Sequence, residues 1–165
     1  MAATIVIQSA HGGSAGSPGS TSTVTSARMK AADNDTADTN NPLVRPTSGL
    51  NYSYEKWLRL YCSVAPSNVV NNFRFHRASG SPSTGITDLY GERSIAEGYE
   101  VPVQTNGYAA TSMPTSATSL SKNATDFSAA TTQYGPWVVL QWSIGPTAVA
   151  GTQTALTYRF TYDES

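Results

Sequence analysis

Residues 155–163 read ALTYRFTYD, with Leu156, Tyr158, Phe160 and Tyr162 separated by Thr157, Arg159 and Thr161. Successive side chains of an extended chain point to opposite faces, so this period of two describes a strand with one buried face. The pattern recurs. Residues 54–64 (YEKWLRLYCSV) set Leu58, Leu60, Cys62 and Val64 against Glu55, Trp57, Arg59 and Tyr61. Residues 69–77 (VVNNFRFHR) turn Phe73 and Phe75 away from Arg74 and His76, and residues 137–144 (WVVLQWSI) send Val138, Leu140, Trp142 and Ile144 inward. Shorter strands are predicted at 86–90 and 98–104, the latter at an edge because Pro102 cannot donate to a ladder. Residues 109–132, rich in Ser, Thr and Ala, are open between a short helix and a long loop. No window carries a helical apolar stripe with caps. About six to eight strands spaced by turn residues indicate an all-β fold, an antiparallel β-sandwich of jelly-roll or Ig-like kind. The long final strands, with the largest apolar side chains, are expected at its centre.

The amino-terminal third has a different character. Residues 2–8 (AATIVIQ) are a short β-branched strand, followed by HGGSAGSPGSTS, a low-complexity stretch read as flexible. Residues 30–45 are polar and turn-rich, ending in NPLVR. The expected division is therefore an extended N-terminal arm with some strand content over 1–45 and a β-sandwich domain over 46–165. An arm with few core anchors acquires order from what it lies on. Thr4, Ile5, Val6 and Ile7 are candidate interface residues, expected to add to a neighbouring subunit's sheet edge through backbone hydrogen bonds. On that expectation, deleting residues 1–20 weakens assembly and leaves the core's melting temperature nearly unchanged.

Charged residues make up 13% of the 165, about half the usual quarter. A surface so sparsely charged suits a protein whose faces are covered by neighbours. The formal net charge is −1 with no basic stripe, which argues against a nucleic-acid partner. No run of about 18 apolar residues is present, and no basic segment leads into an apolar one, so neither a membrane span nor a secretion signal is expected. Synthesis in a cytoplasm is the corresponding expectation. The single cysteine, Cys62, lies within an apolar strand pattern and is read as a buried thiol.

Catalytic chemistry has few candidates. The two histidines are His11, in the Gly-rich stretch, and His76, on the polar side of a strand. No catalytic, metal-ligating or phosphate-cradling motif accompanies them, so no catalytic residue, cofactor or metal is expected. Asp33, Asp35 and Asp38 (DNDTAD) have the oxygen density that calcium requires. They lack the turn glycine and the terminal bidentate Glu of an EF-hand, and a solvated turn is the preferred reading. Asn34, Asn51 and Asn123 begin glycosylation sequons, read as chance matches in a Ser/Thr-rich chain. Trp57, Arg59 and Tyr61 alternate along one strand face, and these residue types concentrate at protein interface hot spots. They are the second group of candidate interface residues. Exposed aromatic rows also bind sugar rings, so a carbohydrate- or receptor-binding module is the alternative.

Taken together, the leading β segment followed by Gly and Ser, then NPLVRP, NYSYEKWLRLY, VVNNFRFHR and the terminal LTYRFTYDE resemble small virion structural proteins of tailed bacteriophages. The resemblance implies a β-sandwich acting as a head-decoration (cement), neck or tail component. It further implies a homo-oligomer in the virion, with the major capsid protein or neck and tail proteins as partners. No functional site is carried over residue by residue.

Overall fold

The computed structural model describes residues 2–122, 125–128 and 132–165. Asn123, which opens the third sequon, lies outside them. The described residues are all-β, with eleven strands and no helix. In chain order these are β1 (Thr4–His11), β2 (Ser20–Thr23), β3 (Asn51–Tyr52), β4 (Lys56–Val64), β5 (Val70–Ser79), β6 (Ile86–Arg93), β7 (Thr111–Ser112), β8 (Thr118–Ser119), β9 (Gln133–Tyr134), β10 (Trp137–Ile144) and β11 (Thr157–Glu164). All pairings are antiparallel. The larger sheet runs β2-β1-β4-β10-β6-β7, with β3 on β10 and β9 on β4; the smaller runs β11-β5-β8.

The alternating segments turn the faces that their periodicity assigns toward the core, except towards the strand ends, where Val64 and Tyr162 are 37% and 38% exposed. Leu58, Leu60 and Cys62 of β4 join Val138 and Leu140 of β10 and Phe73 and Phe75 of β5 in the core between the sheets. Phe75 stacks on Tyr90 and Tyr158 and meets Phe160 edge-on. One end of this interface carries an ion pair between the sheets, with Arg77 Nη1 2.8 Å from both carboxylate oxygens of Asp88. Tyr158 donates to Trp142's neighbour in the same group, Asp88, and Trp142 Nε1 donates to the Tyr158 hydroxyl at 3.2 Å.

β10 is buried on both faces, as befits a central strand flanked by β4 and β6. Its second face, with Trp137 and Val139, joins Ala10, Trp57, Tyr99 and Ala109 in another apolar cluster. Residues 94–110 form the cover. Two buried polar side chains pin that segment. Glu55 accepts from Trp57 Nε1 and from the backbone N–H groups of Val103 and Tyr108. Gln141 Nε2 donates to the carbonyls of Ser53, Val103 and Thr105. The molecule thus has three layers: small sheet, large sheet and irregular cover.

Three expectations need correction. The first concerns the arm: β1 is an internal strand of this chain's own larger sheet, paired with β4 from Thr4 to Ala10 and with β2 from Gln8 to His11. Its Ile5 and Ile7 pack on the core. The Gly-rich stretch is an ordered hairpin, tied down where Tyr99 donates its hydroxyl to Gly12 O and Gly16 N–H bonds Tyr99 O. Ile-rich period-two sequence can fill any open edge, and the edge of β4 within the same chain is the nearest one. The second correction is that β11 lies at the rim of the smaller sheet, not at its centre. Lastly, residues 98–104 form no strand, because they are spent covering Trp57 and Trp137.

Candidate functional site

The densest group of charged side chains lies at one end of β1. Along this strand Ile5, Ile7, Ser9 and His11 share a face, opposite Cys62, Leu60 and Leu58 of β4 in the first three cases. The apolar pattern gives way at Ser9 and His11, and the segment carrying DNDTAD folds over them. His11 Nδ1 lies 3.0 Å from Asp33 Oδ1, and Nε2 lies 2.9 Å from Asp35 Oδ2. Asp33 also takes the backbone N–H of Gly12, and Asp35 that of Arg28. Lys56, fully buried, donates its Nζ to the carbonyls of Ala32 and Asn34 and sits 3.8 Å from Asp35. Lys30 bonds Thr36 O and Asp38 beside them.

Hydrogen bonds to Asp33 and then Asp35 raise the His11 pKa to about 9, against the opposing effect of burial. Burial works to raise the Asp35 pKa, but hydrogen bonds from His11 and Ser9 and the charge of Lys56 outweigh it and bring the value to about 2. Desolvation lowers the Lys56 pKa, with Asp35 and Asp33 opposing. At neutral pH the group is therefore an imidazolium gripped by two carboxylates.

Ser9 Oγ lies 3.2 Å from His11 Nε2, so Ser9, His11 and Asp33 have the outline of a nucleophile–base–orienter set. The chemistry does not follow. A general base needs a free nitrogen lone pair, and both nitrogens here carry protons given to carboxylates. Ser9 is also fully buried. An open hollow of about 490 Å³ adjoins the group, lined by His11, Arg28 and Asp35 and by Ser22, Val24 and Thr25. What the arrangement does is fasten residues 28–38 to the sheet. The reading of DNDTAD as a solvated turn gives way accordingly, since Asp33 and Asp35 are engaged with protein cations.

The candidate interface residues fall in different places. Trp57 has no exposed surface; it is packed edge-on by Tyr99, Tyr108 and Trp137. That removes it from any surface row, because residues 94–110 cover its face. Arg59 is half-buried, its guanidinium 3.8 Å from the Tyr134 ring centre and 4.3 Å from that of Trp137. Tyr61 is half-buried and stacked on Tyr134 at 5.1 Å. Thr4, Ile5, Val6 and Ile7 are the β1 residues already placed in this chain's own sheet.

Outward apolar surface occurs instead on loops. Val44, Leu50 and Val149 are 67%, 55% and 63% exposed. Hydrogen bonds hold the loop backbone at Val44 and around Val149: Asn51 Nδ2 donates to Val44 O at 2.8 Å, Arg45 Nη1 reaches Ala148 O at 3.4 Å, and Gln153 Nε2 donates to Val149 O at 3.0 Å. Leu50 approaches Gly145, so the two loops adjoin. Sequence reading missed both this surface and the His11 group. The signal for His11 was the parity of β1, which places it in line with Ile5 and Ile7. The loop surface has no periodic signal at all.

Compared with family models, with curated proteins and with solved structures, the chain matches none.

Proposed function

We propose that the chain is a non-enzymatic structural protein of a bacteriophage virion, stabilising the particle by packing on other virion proteins, with capsid decoration favoured over a neck or tail role. The observation that carries this reading is the fixed apolar loop surface of Val44, Leu50 and Val149 on a chain with few charges. Large apolar side chains held outward by hydrogen-bonded loops gain by burial against a partner, about 1.5–3 kcal/mol each when fully covered. The resemblance of the strand segments to small virion proteins points the same way. A sugar-binding face has less support: Trp57 is buried, and Arg59 occupies the ring faces of Tyr134 and Trp137.

Quantitative mass spectrometry of purified particles tests the proposal. A copy number in the hundreds identifies a decoration protein, and a ring of about six or twelve copies a neck or tail component. Absence from the particle sinks it. Val44→Asp with Leu50→Asp should lower particle occupancy while leaving the melting temperature of the free protein unchanged.

A further inference from the structure

An open strand edge is a row of unpaired backbone donors and acceptors, and most folds keep such edges short. Here the edge strands β2, β7 and β8 have four, two and two residues, but β11 has eight. Two irregularities interrupt its pairing with β5. Both put the extra residue in β5. Ala78 falls between the partners of Thr157 and Tyr158, and Phe73 and Asn72 together face Tyr162, with Asn72 at φ 52°. β11 itself therefore runs without a bulge. Among the described residues no strand or loop backbone pairs with the backbone of its outer edge; the one backbone donor that reaches β11 from the larger sheet, Ala3 N–H, bonds the Glu164 side chain at 2.7 Å.

The side chains on this edge are ordered by charge. Arg159 and Thr161 lie opposite His76 and Arg74 on the solvent face of the smaller sheet, and Asp163 follows in the same alternation. Asp163 accepts from Arg74 at 2.6 Å and from Asn72 at 2.9 Å, yet its side chain is 53% exposed and has lone pairs to spare. Arg159 is exposed. On the core-facing side Tyr162 stands at the rim, 38% exposed.

We propose that β11 pairs antiparallel with β11 of a second copy about a twofold axis through Thr161. In that register Arg159 of each copy lies opposite Asp163 of the other, and Thr161 lies opposite its counterpart. Phe160 opposes Tyr162 on the inner side and covers its exposed ring. Opposing residues of an antiparallel pair share a face, so the axis can move only in whole-residue steps along the strand. An axis at Arg159 or Asp163 sets like charges against each other; axes at Phe160 or Tyr162 leave Arg159 facing Thr161 or Ser165. Only the axis at Thr161 matches opposite charges, and it does so twice. The product is a continuous six-stranded sheet across an isologous dimer. This inference rests on the geometry of β11 alone and survives if the virion reading fails.

Sedimentation equilibrium of the full chain should show a monomer–dimer equilibrium, weakened at least about tenfold by Arg159→Asp. Arg159 is exposed, so at concentrations low enough for both to be monomeric the variant should melt with the parent. Thr161→Cys should oxidise to a covalent dimer, since directly opposed residues fall within disulfide range, whereas Arg159→Cys should not. Cys62 is fully buried and does not compete. A protein that stays monomeric at every concentration overturns the proposal. So does a dimer indifferent to Arg159→Asp, or cross-linking through Arg159→Cys but not Thr161→Cys, which would mean another register or occupant.

Discussion

Replacing His11 by Asn should remove a pH dependence that the folded protein shows between about pH 6.5 and pH 9. The imidazole pKa is raised from 6.5 to about 9 on folding, first by its hydrogen bond to Asp33 and then by that to Asp35. A basic group whose pKa is raised contributes stability fully present below its unfolded value and lost as pH rises through the folded one. Each pH unit corresponds to 1.36 kcal/mol, so the whole window holds about 3 kcal/mol. His11 is only 11% exposed, which keeps solvent screening small. For a chain of this length that loss lowers the melting temperature by about 6–12 °C. Thermal unfolding at pH 6 and pH 9.5, in parallel for the parent and His11→Asn, isolates the effect. Groups other than His11, among them Lys56 with its lowered pKa, titrate in both proteins and largely cancel in the difference. At pH 6 the variant should be less stable by about 3 kcal/mol, because two partly buried carboxylates lose their shared cation. By pH 9.5 the two should converge. Parallel pH profiles would refute the imidazolium clamp.

Two further perturbations test the layers. Deleting residues 1–20 removes β1, leaves Thr21–Thr23 of β2 without their partner strand, exposes the edge of β4 and uncovers the core where Ile5 and Ile7 packed. The loss should exceed about 5 kcal/mol, enough to abolish cooperative unfolding by circular dichroism; a shortened chain that melts normally would mean β1 is dispensable. Glu55→Ala leaves Trp57 Nε1 and the N–H groups of Val103 and Tyr108 without their acceptor. It should cost about 3 kcal/mol or more in denaturant titration and raise hydrogen exchange over 94–110, whereas Glu55→Gln, which keeps one carbonyl oxygen, should cost less.

The sequence by itself determined the class of fold and which way the long strands face. In β4, β5 and β10 the alternation assigned Leu58, Leu60, Phe73, Phe75, Val138 and Leu140 to a buried side, and all six are buried there. Period two is a property of the extended backbone, so it can be read without knowing what lies opposite. Tertiary structure decided everything that depends on a partner in space. Trp57 looked available for contact because nothing local says that residues 94–110 will lie across it. His11 looked mobile because the carboxylates that hold it follow 22 and 24 residues later. β1 looked like a free arm because its partner, β4, begins 45 residues after its own end. A strand pattern states which side is apolar; which edge it fills is set by long-range packing, and that left β11 with an unpaired rim.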